Sequence, residues 1–199
     1  MGSKPIGPFG NAMPRTPLLV ILLLMHRSLF ATVLLLLVTL ASAQTTDGSK
    51  SKIAKSELAK VRKTKYRVLV PTYVPAGFVV KLGVLELDKE QALTNWTVRY
   101  VNPKTKATFT VQMASDGLGD YIFSTPDGDT TEPTGHLIGK SPIFGKFELM
   151  LVKKPKFNMT ATTWIELGRK TYPNYVMIYS DKVPSATSKR IIESLRWLK

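Results

Sequence analysis

The chain has 199 residues, 44% of them hydrophobic, and 28 Lys and Arg against 14 Asp and Glu, a formal net charge of +14. It has no cysteine and two histidines, His26 and His136. The length holds one domain or at most two small ones, and the composition excludes disulfide scaffolds, thiolate zinc sites, iron–sulfur clusters, cysteine nucleophiles and thioester lipid anchors.

Residues 1–43 carry Lys4, Arg15 and Arg27 and no acid. An apolar run of 12 residues, Leu29–Leu40, ends in Ala41-Ser42-Ala43 and is followed by Gln44. A positive flank, an apolar core and a small-x-small exit are the layout of a cleaved secretory signal. The run is shorter than the roughly 20 residues of a membrane span. The expectation is therefore an extracytoplasmic protein, periplasmic or secreted, cleaved after Ala43. The competing reading is a membrane anchor that extends back through Leu18–Leu24. It places Arg27 near the bilayer centre at about 2.5–3.5 kcal/mol, which the many Leu, Val and Ile around it offset. Read from Met25 the segment is a complete signal by itself, so Met1 and Met25 both stand as starts. Without residues 1–43, 156 residues remain, with 25 bases and 14 acids. That is enough for one domain with a substantial core. An exported chain without cysteine suits a bacterial envelope better than the disulfide-rich extracellular style.

Residues 44–65 form a basic lead-in. Ile53, Leu58 and Val61 predict a short helix from about Ser51 to Arg62. Lys50, Lys52, Lys55, Lys60, Arg62, Lys63 and Lys65 surround it, against Asp47 and Glu57. A solvated helix and tether is the preferred reading, over an arm that touches anionic lipid or polymer.

From Arg67 the pattern becomes that of strands: Arg67–Val70, Phe78–Leu87, Trp96–Val101 and Lys106–Met113, rich in Val, Thr and aromatics. Ala107, Phe109, Val111 and Met113 alternate with polar neighbours, as in antiparallel sheets with one wet face. Asn102-Pro103 marks a hairpin turn. Further strands are expected at Phe147–Lys153, Thr162–Leu167 and Tyr175–Ser180. A closing helix is expected over Ser185–Leu198, with Ser185 as its N-cap and Ile191, Ile192, Leu195 and Leu198 on one apolar face. Trp197 is expected to be partly covered. The expected fold class is α+β: a single antiparallel sheet with a C-terminal helix packed on one face, after a cleaved signal peptide.

The stretch Val70–Phe78 reads VPTYVPAGF, and the chain closes with a strand, a Pro-containing turn and a helix carrying Glu193-Ser194-Leu195. Over residues 66–198 this resembles an extracytoplasmic bacterial domain of unknown function found at the C-terminus of anti-sigma factors. It is also similar to the C-terminal domain of the MucB/RseB envelope-stress regulators. The resemblance implies an α+β domain over residues 66–199 that binds a protein partner. It departs from both families in what precedes the domain: residues 44–65 are too few for a lipid-sensor domain, and residues 1–17 too few for a sigma-binding one. Lipoprotein sensing and sigma-factor capture therefore do not carry over. Independently of any family, Pro71 and Pro75 fix φ and remove two donors, and Gly77 allows the turn that swings Phe78 into the core.

No chemical constellation stands out. Gly135–Ser141 (GHLIGKS) imitates a phosphate-binding loop, but has three residues between its glycines where four are needed, and Pro142 follows. His136 reads as a polar loop residue; no G-x-S-x-G elbow accompanies it. Asp116, Asp120, Asp127, Asp129 and Glu132 form an acidic loop whose spacing departs from an EF-hand; a solvated loop is preferred to a calcium site. Asn95-Trp96-Thr97 and Asn158-Met159-Thr160 match a glycosylation pattern that carries no meaning in a bacterium. Lys146, Lys153, Lys154 and Lys156 are the candidate surface for an anion or a partner. The functional expectation is an exported non-enzymatic interaction module, regulatory or envelope-associated, with a protein partner and no cofactor or metal. The alternative is a binder of anionic envelope polymers or lipids; nucleic acid is not expected.

Overall fold

A computed structural model describes residues 44–64, 66–87, 93–115, 119, 122–124, 130–154, 157–168 and 173–199. The expected signal or anchor, with the alternative start at Met25, lies outside the described residues. In chain order the described elements are β1 (Thr45–Thr46), a 3-10 turn (Ser49–Ser51), α1 (Lys55–Arg62), β2 (Leu69–Pro71), β3 (Val79–Leu87), β4 (Leu93–Val101), β5 (Thr108–Ala114), β6 (Gly135–Ser141), β7 (Gly145–Lys154), β8 (Phe157–Thr162), β9 (Ile165–Glu166), β10 (Tyr175–Asp181), α2 (Ser185–Glu193) and β11 (Leu195–Leu198).

The class is α+β, with two sheets instead of the single one expected. The larger runs β3-β4-β5-β10-β8-β7-β6, every pair antiparallel, and β9 continues along β10 beyond β8. The smaller runs β1-β11-β2, with β1 parallel and β2 antiparallel to β11. The second sheet exists because the closing helix is shorter than its apolar spacing suggests. It ends at Glu193, and Leu195–Leu198 leaves it as a strand between two segments from the far end of the chain. Ser194 makes the exit: its amide donates to the carbonyls of Arg190 and Ile191, and its hydroxyl to Ile191 at 2.7 Å. At the other end, Ser185 is the first helical residue and not the cap. The carbonyl of Pro184 accepts the amides of Thr187 and Ser188 at 2.8 and 3.0 Å.

Two further strands differ from expectation. Gly135–Ser141, outwardly a loop motif, is β6, paired along its whole length with β7. The strand expected at Thr162–Leu167 is reduced to β9, while Phe157–Thr162 forms β8. The register along β10 moves by one residue between them, from Tyr179 opposite Ala161 to Val176 opposite Ile165. This is a β-bulge. The hydroxyl of Thr162 accepts the amide of Ile178 there, at 3.1 Å.

Alternation puts Trp96, Val98 and Tyr100 of β4, Phe109, Val111 and Met113 of β5, and Phe147, Leu149 and Leu151 of β7 in one buried cluster. Val68–Val70, Ile191, Ile192, Leu195 and Trp197 join the same cluster. Trp197 is buried, beyond the partial cover expected, with the Arg67 guanidinium 4.7 Å from its ring centroid. Hydrogen bonds fasten the larger sheet to what covers it: the indole N–H of Trp96 donates to the Leu69 carbonyl of β2 at 3.2 Å, and the Tyr100 hydroxyl to the carbonyl of Ser51 in the lead-in at 2.9 Å.

The lead-in is part of this core and not a solvated tether. Ile53, Leu58 and Val61 are buried in the same cluster, and Thr45 and Thr46 pair with Trp197 and Leu198. Arg62 donates to the carbonyls of Lys199 and Asp47, which ties α1 to both ends of the domain. Lys52 donates through its ammonium to the carbonyls of Pro75 and Phe78, at 3.2 and 3.0 Å, and so pins the VPAGF turn. Gly77 sits there at φ +79°, where a Cβ would lie 2.9 Å from Asn102 Nδ2. Phe78, next to it, is buried with its ring centroid 5.3 Å from that of Phe109.

Candidate functional site

Of the lysines singled out around β7, Lys146 lies apart from Lys153 and Lys154. Lys146 and Lys153 sit near opposite ends of the strand, seven residues apart, which is about 24 Å at the ~3.4 Å rise of an antiparallel strand. Lys146 is exposed and faces Lys140 across the β6–β7 ladder. Lys153 is opposite Asn158 at the far end, with Lys154 beside it, both exposed. Lys156 lies outside the described residues.

His136 is not in a loop. It stands on β6 opposite Met150, with its Nδ1 2.7 Å from Glu148 Oε1. Both side chains are about half exposed, so the pair is a surface contact of small energetic weight. The glycine that completed the phosphate-loop resemblance has a packing role. A Cβ on Gly139 would lie 2.1 Å from the ring of Phe147, its ladder partner. The aromatic ring fills the place of the missing side chain and lets β6 lie close.

Of the acidic loop, Asp116, Asp120, Asp127 and Asp129 lie outside the described residues, and Glu132 is exposed. Among the described residues no group of three or more His, Asp or Glu is placed to hold a metal ion, and no helix is long and apolar enough to cross a membrane. The sequon asparagines are structural: Asn95 donates to Glu86 Oε2 at 3.1 Å, and Asn158 to the Val183 carbonyl at 3.1 Å.

The surface that the sequence pattern did not single out is the β3 edge. Among the described residues β3 ends the larger sheet and pairs on one side only, with β4. Val79 and Leu82 are 52% and 48% exposed. The ladder register shifts around Lys81 and again after Glu86, which leaves Leu82–Glu86 as a regular open stretch. Lys81, Arg99, Lys104 and Lys106 stand exposed on this strand, its neighbour β4 and the β4–β5 turn. None of the four makes an ion pair among the described residues. The pattern FVVKLGVLEL marks a strand, but nothing local distinguishes an edge from an interior position; only the pairing does.

Comparison with protein-family models, with curated proteins and with solved structures gives no match.

Proposed function

We propose that the protein is an exported, non-enzymatic interaction module of the bacterial envelope, regulatory in kind, and that its partner is another protein. The resemblance to the extracytoplasmic domain of anti-sigma factors and to the MucB/RseB C-terminal domain belongs to this proposal. It is supported by the contact between the two stretches that carry it, Val70–Phe78 and the end of α2, which meet at Thr72 and Ser194. The layout of residues 1–43 supports export.

The observation that carries the reading is the β3 edge. An open strand is a template for an added strand, whose main chain supplies affinity and whose alternate side chains supply specificity. We assign the occupant as an extended segment of the partner, apolar where it meets Leu82 and Val84 and acidic where it meets Lys81 and Arg99. A second copy of this chain is disfavoured by self-repulsion, since residues 44–199 carry 25 bases against 14 acids. The alternative, binding of anionic polymer or lipid, draws on the same charge but loses its proposed focus, because the β7 lysines lie at two ends of a strand.

The test compares the exported protein with Leu82→Asp and Lys81→Glu, after confirming by thermal melting that both fold as the wild type. Cross-linking in the native envelope is expected to give one stoichiometric protein adduct, lost in both variants. An adduct that persists in both, or salt-sensitive binding to anionic vesicles with no protein adduct, overturns the reading.

A further inference from the structure

We propose that Gln44 is a modification site: once exposed as the N-terminal residue, it closes onto its own side chain to form a pyroglutamyl terminus. The inference rests on the export reading, with cleavage after Ala43. That cleavage frees the α-amine of a residue whose side-chain amide lies within reach of a five-membered ring.

The fold holds this residue in a way that permits the reaction. The Gln44 carbonyl accepts the amide of Trp197 at 2.9 Å, and the next residue, Thr45, is opposite Trp197 in the β1–β11 ladder. The side chain is exposed, with its Nε2 donating to the Pro142 carbonyl at 3.3 Å. The ring takes in the amine nitrogen, Cα, Cβ, Cγ and Cδ. The carbonyl carbon and its bond to Trp197 stand outside it, so β1 keeps its place as the ring closes. What is given up is one exposed hydrogen bond, which contributes little to stability.

The step balances without an oxidant or co-reactant. The amine nitrogen attacks Cδ, the N–Cδ bond forms and the Cδ–Nε2 bond breaks. The departing nitrogen takes a proton from the amine and leaves as ammonia. The product is a neutral lactam in place of a cationic amine. An aminopeptidase then has no ammonium to bind, and β1, which flanks the buried β11, is protected from trimming at its open end.

The experiment is mass spectrometry of the exported protein, with its amines labelled before digestion. The expected N-terminal peptide begins at Gln44, has lost the mass of one ammonia and carries no label on its α-nitrogen; the Gln44→Ala variant, exported in parallel, takes the label. A peptide that begins at Gln44 at full mass and takes the label overturns the modification while leaving export intact. A peptide that begins elsewhere overturns the cleavage reading and the modification with it.

Discussion

Thr72 gives both of its donors to one acceptor, the main-chain carbonyl of Ser194: the amide at 3.1 Å and the hydroxyl at 2.7 Å. Ser194 answers through its hydroxyl, which accepts the amide of Tyr73 at 3.1 Å while donating to Ile191. One helical turn before Ser194, the Arg190 guanidinium lies 4.0 Å from the Tyr73 ring centroid. The segment that follows β2 and the end of α2 are thus clasped at one serine. Ser194→Ala removes the acceptor for the Tyr73 amide and the donor that closes α2. Leaving a buried amide unsatisfied costs about 1–3 kcal/mol, and the Tyr73 amide is part-buried, so the lower part of that range applies. The expected result is a fall of several degrees in Tm, with secondary structure retained by circular dichroism; an unchanged Tm would show the clasp to be dispensable.

Gly139→Ala is expected to destabilise through overpacking. The added methyl meets the Phe147 ring inside contact distance, and forced insertions into packed sites cost typically 1–3 kcal/mol. Combined with Phe147→Ala, which opens the space, the Gly139→Ala penalty should disappear. Additive losses in the double-mutant cycle would refute the packing account.

Leu195, fully buried on β11, tests the second sheet. Leu195→Ala should cost about 2–5 kcal/mol, a large share of the roughly 5–15 kcal/mol that holds a domain together. Two truncations sharpen the point. Ending the chain before Ser185 removes α2 and β11, and starting it at Tyr66 removes β1 and the buried Ile53, Leu58 and Val61. Both are expected to abolish the cooperative thermal transition. If the chain that starts at Tyr66 melts like the full domain, the lead-in is a tether after all.

Tyr100 supplies a pH signature. Burial pushes its phenol far above the usual range, and its hydroxyl donates to the Ser51 carbonyl. The unfolded chain releases this proton near pH 10 and the folded one retains it. The folded state then binds more protons, so stability is full below about pH 10 and falls as pH rises beyond it. Denaturant titrations across that range should show the decline, and Tyr100→Phe, though less stable at neutral pH, should flatten it. A wild-type profile that stays level would contradict the assignment.

His136→Ala is expected to change stability by no more than about 0.5 kcal/mol, as for an ordinary surface substitution, because its contact with Glu148 is half exposed on both sides. Purified, chelator-washed protein is expected to hold no stoichiometric zinc, measured by atomic absorption. Bound zinc lost with His136→Ala would return this residue to the list of chemical candidates.

Much of the larger sheet follows from local pattern. In β4 and β5 apolar and polar residues alternate strictly enough that period two marks both the strand and its apolar face, while β10 reads as a strand from its run of apolar and aromatic residues, with Val176, Met177 and Ile178 all buried. The opening motif was equally readable, because Pro71, Pro75 and Gly77 act through backbone geometry that needs no distant partner. Elsewhere tertiary contact decided. Leu195 and Leu198 satisfy a helical spacing while Leu195 and Trp197 satisfy a strand alternation, and the choice fell to β1 and β2, whose ladders take up the backbone groups of β11. β6 was hidden by its two glycines, one of which is required only because Phe147 arrives across the sheet. The open edge at Leu82 depends on which strand finds no second neighbour, a property of pairing across the whole sheet. Residue type and spacing along the chain set period, caps and turns through short-range sterics and hydrogen bonds. Strand order, sheet edges and the docking of the lead-in come from contacts between residues far apart in sequence, whose free energy exists only once the chain has closed on itself.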